Sequence, residues 1–286
     1  MFCASGGFTM NVLLGHSQKD RKMHCSDGDS VYITGSVHNE LVRLLGIDAP
    51  EVRGLNLDKL EESKFLYVLD DNLLEYLTPK LTRKSIKIHK ELGFKAKEYL
   101  EEILDENLTV TFGREVFDRY GRALVYLGDN QEMYNVTLVQ SGLAIPYFIF
   151  PNAVPLTEEG EYTFDHIETM QKAAAYAQEK TLGIWRVIDD ILIPMELRYL
   201  TRRELPEKYC VDLGTGVLYP PEMYYRVPII NRLFFYPKDV ALAVCMGFQP
   251  VRECDSWLHK IWRGLHPESR RRREGPEIPG EILKGT

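Results

Sequence analysis

Apolar and polar positions alternate through the early part of the chain. Val31 to Gly35 and Leu41 to Ile47 read as strands joined by the turn-prone stretch Ser36 to Glu40. In the second strand Val42 and Leu44 share one face, and Arg43, Leu45 and Ile47 the other. Both faces are mostly apolar, so Arg43 starts from a buried or half-buried wall. A charge there must be paired, because an isolated one would be too costly. The period then lengthens. Leu66, Leu69, Leu73 and Leu77 recur at helical spacing within residues 57–77, and Pro79 closes the run. A second helix is expected over Phe94 to Leu104, with Ala96, Leu100, Ile103 and Leu104 along one stripe. Leu108 to Arg114 and Arg122 to Leu127 read as strands around a turn at Asp118 to Gly121. Asn135 to Ser141 forms a short helix ended by Gly142, and Phe164 to Leu182 an Ala-rich one ended by Gly183. Several short strands with few helices suit a small closed barrel better than a parallel sheet.

The composition changes after Trp185. Residues 188–208 read as a charged, mostly helical connector, and 209–236 are dense in Tyr and Pro. Pro237 to Met246 is a short helix with Pro at its first turn and Gly247 at its end. From about His259 the sequence is rich in Arg, Glu, Gly and Pro and reads as a disordered tail. The expected organisation is a main domain over 10–187 with a helical insertion at about 53–90, a connector over 188–208, a small module over 209–257 and a basic tail over 258–286.

With 44% hydrophobic and 27% charged residues, the composition is that of an ordinary globular protein able to bury a core. No apolar run approaches a membrane span. Met1 to Gly15 lacks the basic start and strong apolar stretch of a signal peptide, and Met10 is a second candidate start. The five cysteines (3, 25, 210, 245 and 254) are odd in number and form no C-x-x-C pair. They favour a reducing, intracellular compartment over a disulfide framework. A net charge of −7 opposes non-specific affinity for nucleic acid, but not contacts that are local. The run Arg270 to Arg273, after Lys260 and Arg263, is a solvated tail on its bland reading and a nucleic-acid contact on the sharper one.

Two short stretches concentrate the candidate chemistry. Asp27-Gly28-Asp29 and Arg43 to Glu51 supply the carboxylates Asp27, Asp29, Asp48 and Glu51 beside one arginine, and Asp118 to Arg122 adds more arginine. Phosphodiester cleavage needs this combination. Carboxylates hold a divalent metal and position water, while arginines bind the charge that builds on phosphorus. Singly, each has an ordinary reading. Asp-Gly-Asp is a common turn, Arg43 suits a structural ion pair with Glu51, and Asn135 suits a packing hydrogen-bonder. His24, His38 and His166 have no paired spacing and read as surface residues. As a set, the residues point to a metal-dependent nuclease. A non-catalytic module binding nucleic acid or protein on the same scaffold is the alternative, to which the acidic charge lends weight.

Five motifs occur in one order: Asp27-Gly28-Asp29-Ser30-Val31, Val42 through Glu51, Asp118-Arg119-Tyr120-Gly121-Arg122, Asn135 to Val139 with Gly142-Leu143-Ala144, and Gly183-Ile184-Trp185. From about residue 23 to 186 this order resembles the staphylococcal-nuclease-like (thermonuclease) family. The resemblance implies an α+β, mainly β fold: an OB-like five-stranded barrel with packed helices. It also implies calcium-dependent hydrolysis of DNA or RNA, with one calcium ion per site. By position, Asp29, Asp48 and the Ala49 backbone carbonyl resemble the metal ligands, with Asp27 just outside them. Glu51 resembles the residue that activates water, and Arg43 and Arg122 the pair that grips the scissile phosphate. Arg119, Tyr120 and Tyr147 resemble substrate contacts.

The stretch from about Arg53 to Lys90 is much longer than the corresponding family loop. It is expected as a helical insertion at the mouth of the site, with three roles open to it: restricting substrates, closing as a lid, or forming a dimer contact. Residues 209–257 distantly resemble the small zinc-binding domain of Ada-type proteins, through Val217-Leu218-Tyr219-Pro220, Asn231 to Phe235 and Gly247 to Cys254. Only Cys254 remains of the expected final Cys-x-x-Cys, so no zinc is expected and the module reads as a small α+β core or interface.

Overall fold

A continuous hydrophobic core joins two sheets in the computed structural model, which describes residues 9–13, 24–34, 39–53, 64–104, 107–129, 132–155 and 162–266. In chain order the first strands are β1 (Thr9–Leu13), β2 (Cys25–Asp27), β3 (Ser30–Thr34), β4 (Asn39–Leu44), β5 (Ile47–Asp48), β6 (Asn107–Phe117) and β7 (Ala123–Gly128). Six of them form one sheet in the order β1-β6-β7-β4-β3-β2. Among the described residues its hydrogen-bonded order is open rather than closed on itself, and β1 is a strand beyond the five expected. The fold is α+β. The strand expected over 41–47 is two strands, because Gly46 takes φ +72° and turns the chain between them. β5 then pairs with β8 (Ile145–Pro146), which carries Asp48 away from the main sheet.

Seven α-helices follow among the described residues. The single early helix expected over 57–77 is a 3-10 turn, Lys64–Val68, then α1 (Asp71–Leu77), which starts where the Asp70 side chain accepts hydrogen bonds from Asn72 and Leu73. Residues 54–63 lie outside the described residues. α2 (Arg83–Ile103) begins eleven residues before the expected Phe94, capped by the Thr82 side chain on the Ser85 amide. Its buried stripe includes the polar Ser85 and His89, which hid the helical period from hydropathy alone. Gly93 sits mid-helix for a reason: a Cβ there would lie 2.6 Å from the Pro50 carbonyl oxygen and 3.0 Å from that of Glu51. α3 (Tyr134–Gln140) and α4 (Asp165–Glu179) match the expected helices and their glycine ends, Gly142 (φ +72°) and Gly183 (φ +48°).

The second sheet runs β13 (Gln249–Pro250), β11 (Val217–Tyr219), β10 (Tyr209–Asp212), β12 (Arg232–Phe235) and β9 (Phe148–Ile149). β9 belongs to the first part of the chain, and its parallel pairing of Ile149 with Phe234 stitches the C-terminal module onto it. The connector expected to be mostly helical contributes one helix, α5 (Pro194–Arg202). Ile191, Leu192 and Ile193 before it are fully buried, as is Glu196 within it, so α5 is anchored rather than free. α6 (Val240–Cys245) precedes α7 (Ser256–Leu265). α7 corrects the tail expected from His259: Leu258, Ile261, Trp262 and Leu265 recur at helical spacing, and Leu258 is fully buried. Residues 267–286, with the Arg270 to Arg273 run, lie outside the described residues, as do Cys3 and His38.

The aromatic segment at 219–236 supplies core: Tyr224, Phe234 and Phe235 are all buried. Cys254 is buried and its thiol donates to the Leu218 carbonyl at 3.3 Å. The described part of the insertion packs on the module, where Tyr76 of α1 stacks on Tyr225 at 4.8 Å. None of those described residues lines the groove described below; residues 54–63, the rest of the segment expected at its mouth, lie outside the described residues.

Candidate active site

Close packing sets the positions of the acidic groups. A Cβ at Gly28 would meet Ala96 at 2.5 Å and Ala49 at 2.8 Å, so glycine alone lets the Asp27–Asp29 turn press between α2 and the strand end. Asp29 and Asp48 are thereby buried, at 1% and 0% exposure. Arg43 projects from β4 opposite Ser30, and its side chain bridges the two aspartates. One guanidinium nitrogen contacts Asp29 Oδ1 and the other donates to Asp48 Oδ1 at 2.9 Å. The pairing expected for a buried Arg43 is therefore met by Asp29 and Asp48, not by Glu51. Ala49 faces Asp29 through its amide, which donates to Oδ2 at 2.8 Å.

Glu51 receives a different arginine. Arg198, on α5, donates to Asp48 through both terminal nitrogens, at 2.6 and 2.8 Å, and to Glu51 Oε1 at 3.3 Å. Its guanidinium also lies 5.7 Å from the Tyr147 ring. Behind Glu51, the buried His89 accepts the Glu51 amide on Nε2 at 2.9 Å, while Nδ1 lies 3.1 Å from the Leu192 carbonyl. These partners define one neutral tautomer, with Nδ1 as donor. His89 thus ties the Glu51 backbone to the segment leading into α5.

Arg122 immediately precedes β7, the neighbour of β4, with its Nε donating to Asp118 Oδ2 at 2.7 Å and Nη1 to Ser30 Oγ at 3.3 Å. Together these groups face a groove of about 1310 Å³. Asp27, Arg43, Glu51, Arg119, Tyr120, Arg122 and Tyr147 all line it, while Asp29, Asp48 and Ala49 are buried behind its wall. A second wall was not anticipated from sequence: Arg198, Tyr199 and Arg202 come from α5, Lys208 from the end of the connector, and Tyr236 and Lys238 from the module. Arg202 donates to the Tyr120 hydroxyl at 2.7 Å and Arg119 to Glu204 at 3.2 Å, bridging the two walls. Asn135 stays out of the groove; it is fully buried, accepting the Leu127 amide and donating to the Leu45 carbonyl. His166 is half-buried against Tyr126 at 4.5 Å rather than free on the surface.

Burial and charge shift the titrating groups in opposite ways. Burial drives His89 down to about 4. It opposes the charge on Arg198 and on Arg43, but Asp48 for the first and Asp29 for the second outweigh it and raise both guanidinium pKa values. Burial pushes Asp29 upward, with Arg43 pulling against it. Asp27 is burdened by burial too, yet its hydrogen bond with Asp29 and the nearby Arg43 hold it low. Asp118 is likewise lowered: partial burial works against this, and hydrogen bonds from Arg122 prevail.

Hard carboxylate oxygens suit calcium in kind. In this arrangement they are already engaged: both Asp48 oxygens and both Asp29 oxygens accept from protein donors. Among the described residues no group of three or more His, Cys, Asp or Glu side chains is placed to hold a metal ion. The residues as arranged do not fit a calcium ion.

Part of this chain is similar in sequence to known proteins. Residues 41–187 match the family model of the staphylococcal nuclease homologues. The thermonuclease of Staphylococcus intermedius is 28% identical over 159 residues, covering 56% of this chain and 71% of that protein. An uncharacterized protein of Methanocaldococcus jannaschii is 33% identical over 168 residues, covering 56% of this chain and 67% of its own length. The thermonuclease of Staphylococcus hyicus is 23% identical over 160 residues, covering 56% of this chain and 70% of that protein. With half of its length inside the family model, the chain belongs to the staphylococcal nuclease family.

Proposed function

We propose that this protein is a nuclease that hydrolyses phosphodiester bonds in DNA or RNA. The observation that carries the reading is the convergence of Arg43 and Glu51, from one short stretch, with Arg122, from much later in the chain, on one groove. Glu51 is the group that takes a proton from the attacking water. One of its oxygens faces Arg198, and its side chain remains 27% exposed, so a water can reach it. Arg43 and Arg122 bind the phosphate oxygens as negative charge builds on them. Their forked donors match that geometry, and they stay charged at any working pH. Arg119 and Tyr120 bind the flanking phosphate, and Tyr147 offers a ring face to a base. The five strands β2, β3, β4, β6 and β7 support an OB-like reading of the scaffold.

The family resemblance implies calcium dependence, which this arrangement of engaged carboxylates does not fit, so the roles assigned above are those of the chain's own side chains. The test is cleavage of plasmid and single-stranded oligonucleotide by the full chain, with calcium, manganese, magnesium or chelator. Arg43→Ala is expected to cut at least a hundredfold more slowly. A second reading, a module that binds without cutting, draws support from the net charge of −7 and from Arg198 lying on Asp48 and Glu51. Tight binding of uncut oligonucleotide under every condition would favour it.

A further inference from the structure

We infer that Arg198 is an internal cation of the acidic site, competing with any divalent metal for Asp48. The inference concerns the site to which nuclease activity was assigned above and rests on that reading for its functional meaning, though not for its test. Three observations carry it. Arg198 grips Asp48 with two hydrogen bonds, at 2.6 and 2.8 Å, and reaches Glu51 at 3.3 Å. Asp48 is fully buried, so it cannot present a spare oxygen to solvent while both are held. Arg198 also lies outside the family-matched residues, on a helix whose flanks at Ile193 and Leu197 are buried.

Two guanidiniums, Arg43 and Arg198, therefore balance the charge of Asp29 and Asp48. A dication entering between those carboxylates would meet two positive groups hydrogen-bonded to the same oxygens. Like charges at such range repel strongly where water is scarce. α5 is anchored in the core, so the competition is confined to the long Arg198 side chain: metal binding requires it to swing off Asp48. The cation is thus supplied by a part of the chain that lies outside the family-matched residues. It makes occupancy of the acidic pair depend on that part.

The test is terbium luminescence sensitised by tyrosine, with calcium as competitor, on the full chain. Arg198→Ala is expected to bind terbium at least tenfold more tightly than wild type. Asp48→Asn added to Arg198→Ala should remove that gain, which separates this site from other acidic surface. Arg198→Gln, which keeps length and one donor, should fall between the two and guards against misfolding of the alanine variant. In wild type, the hindered-rotation NMR signals of the Arg198 guanidinium should collapse on saturation with calcium. Equal affinity in wild type, Arg198→Ala and Arg198→Gln would overturn the inference, as would unchanged Arg198 signals with calcium bound at Asp48. Failure of the nuclease reading looks different: no oligonucleotide is cut, whatever terbium does.

Discussion

Replacing His89 by Gln probes the join between the two parts of the chain. In the folded protein His89 is neutral and buried, holding the Glu51 amide and the Leu192 carbonyl at its two nitrogens. Its pKa is about 4, against 6.5 for an ordinary histidine. Below pH 6.5 the unfolded chain takes up a proton that the folded chain refuses. The stabilisation is therefore complete above pH 6.5 and is lost as pH falls toward 4. A tenfold difference in proton affinity between the folded and unfolded chain corresponds to about 1.4 kcal/mol. The loss therefore approaches roughly 3 kcal/mol at the acid end and about 2 kcal/mol at pH 5. Gln offers a donor and an acceptor without titrating, at a cost near neutral pH of about 1 kcal/mol for poorer geometry. Urea unfolding of both proteins at pH 7.5, 6 and 5 measures the gap. The wild-type advantage should shrink by about 2 kcal/mol between pH 7.5 and 5 and reverse sign. A gap constant across that range would refute both the neutral tautomer and its role at Glu51.

Two further outcomes follow from close packing and charge. Gly93→Ala drives a Cβ to 2.6 Å from the Pro50 carbonyl, a backbone atom with little room to yield. It should destabilise by about 2 kcal/mol in thermal unfolding and slow cleavage by displacing Glu51, whereas a simple gain in helix propensity would stabilise. Arg202→Ala removes a cation from the groove wall contributed by α5. It should raise KM for oligonucleotide several-fold with kcat unchanged, and reduce the salt slope of binding by about 1; an unchanged slope would remove Arg202 from the substrate path.

The legible part of the fold was the part governed by local period and by glycine. Strands β3, β4 and β7 and helices α3 and α4 announce themselves through alternation, helical spacing and the left-handed glycines that end them. The split at Gly46 was not legible, because a glycine within an apolar run does not reveal whether it bends a strand or ends it. The early start of α2 was hidden since its core-facing positions include Ser85, His89 and Gly93, which contact Leu192 and the Pro50–Glu51 backbone. In the site, residues within the motifs could be found because their spacing is fixed by one strand and one turn. Arg198 and His89 could not. Each meets the site through tertiary contacts across 147 and 38 residues, and neither stands in a pattern that distinguishes it from a surface arginine or a core histidine.

The central claim is that side chains gathered in this groove break a phosphodiester bond, with Glu51 activating water. Single-turnover cleavage of a labelled single-stranded oligonucleotide by wild type and Glu51→Gln, with Kd measured by anisotropy, addresses it most directly. The expected result is a rate at least a hundredfold lower in Glu51→Gln, with Kd changed less than about threefold. Equal rates in the two proteins, or wild type that binds the strand and leaves it whole, would contradict it.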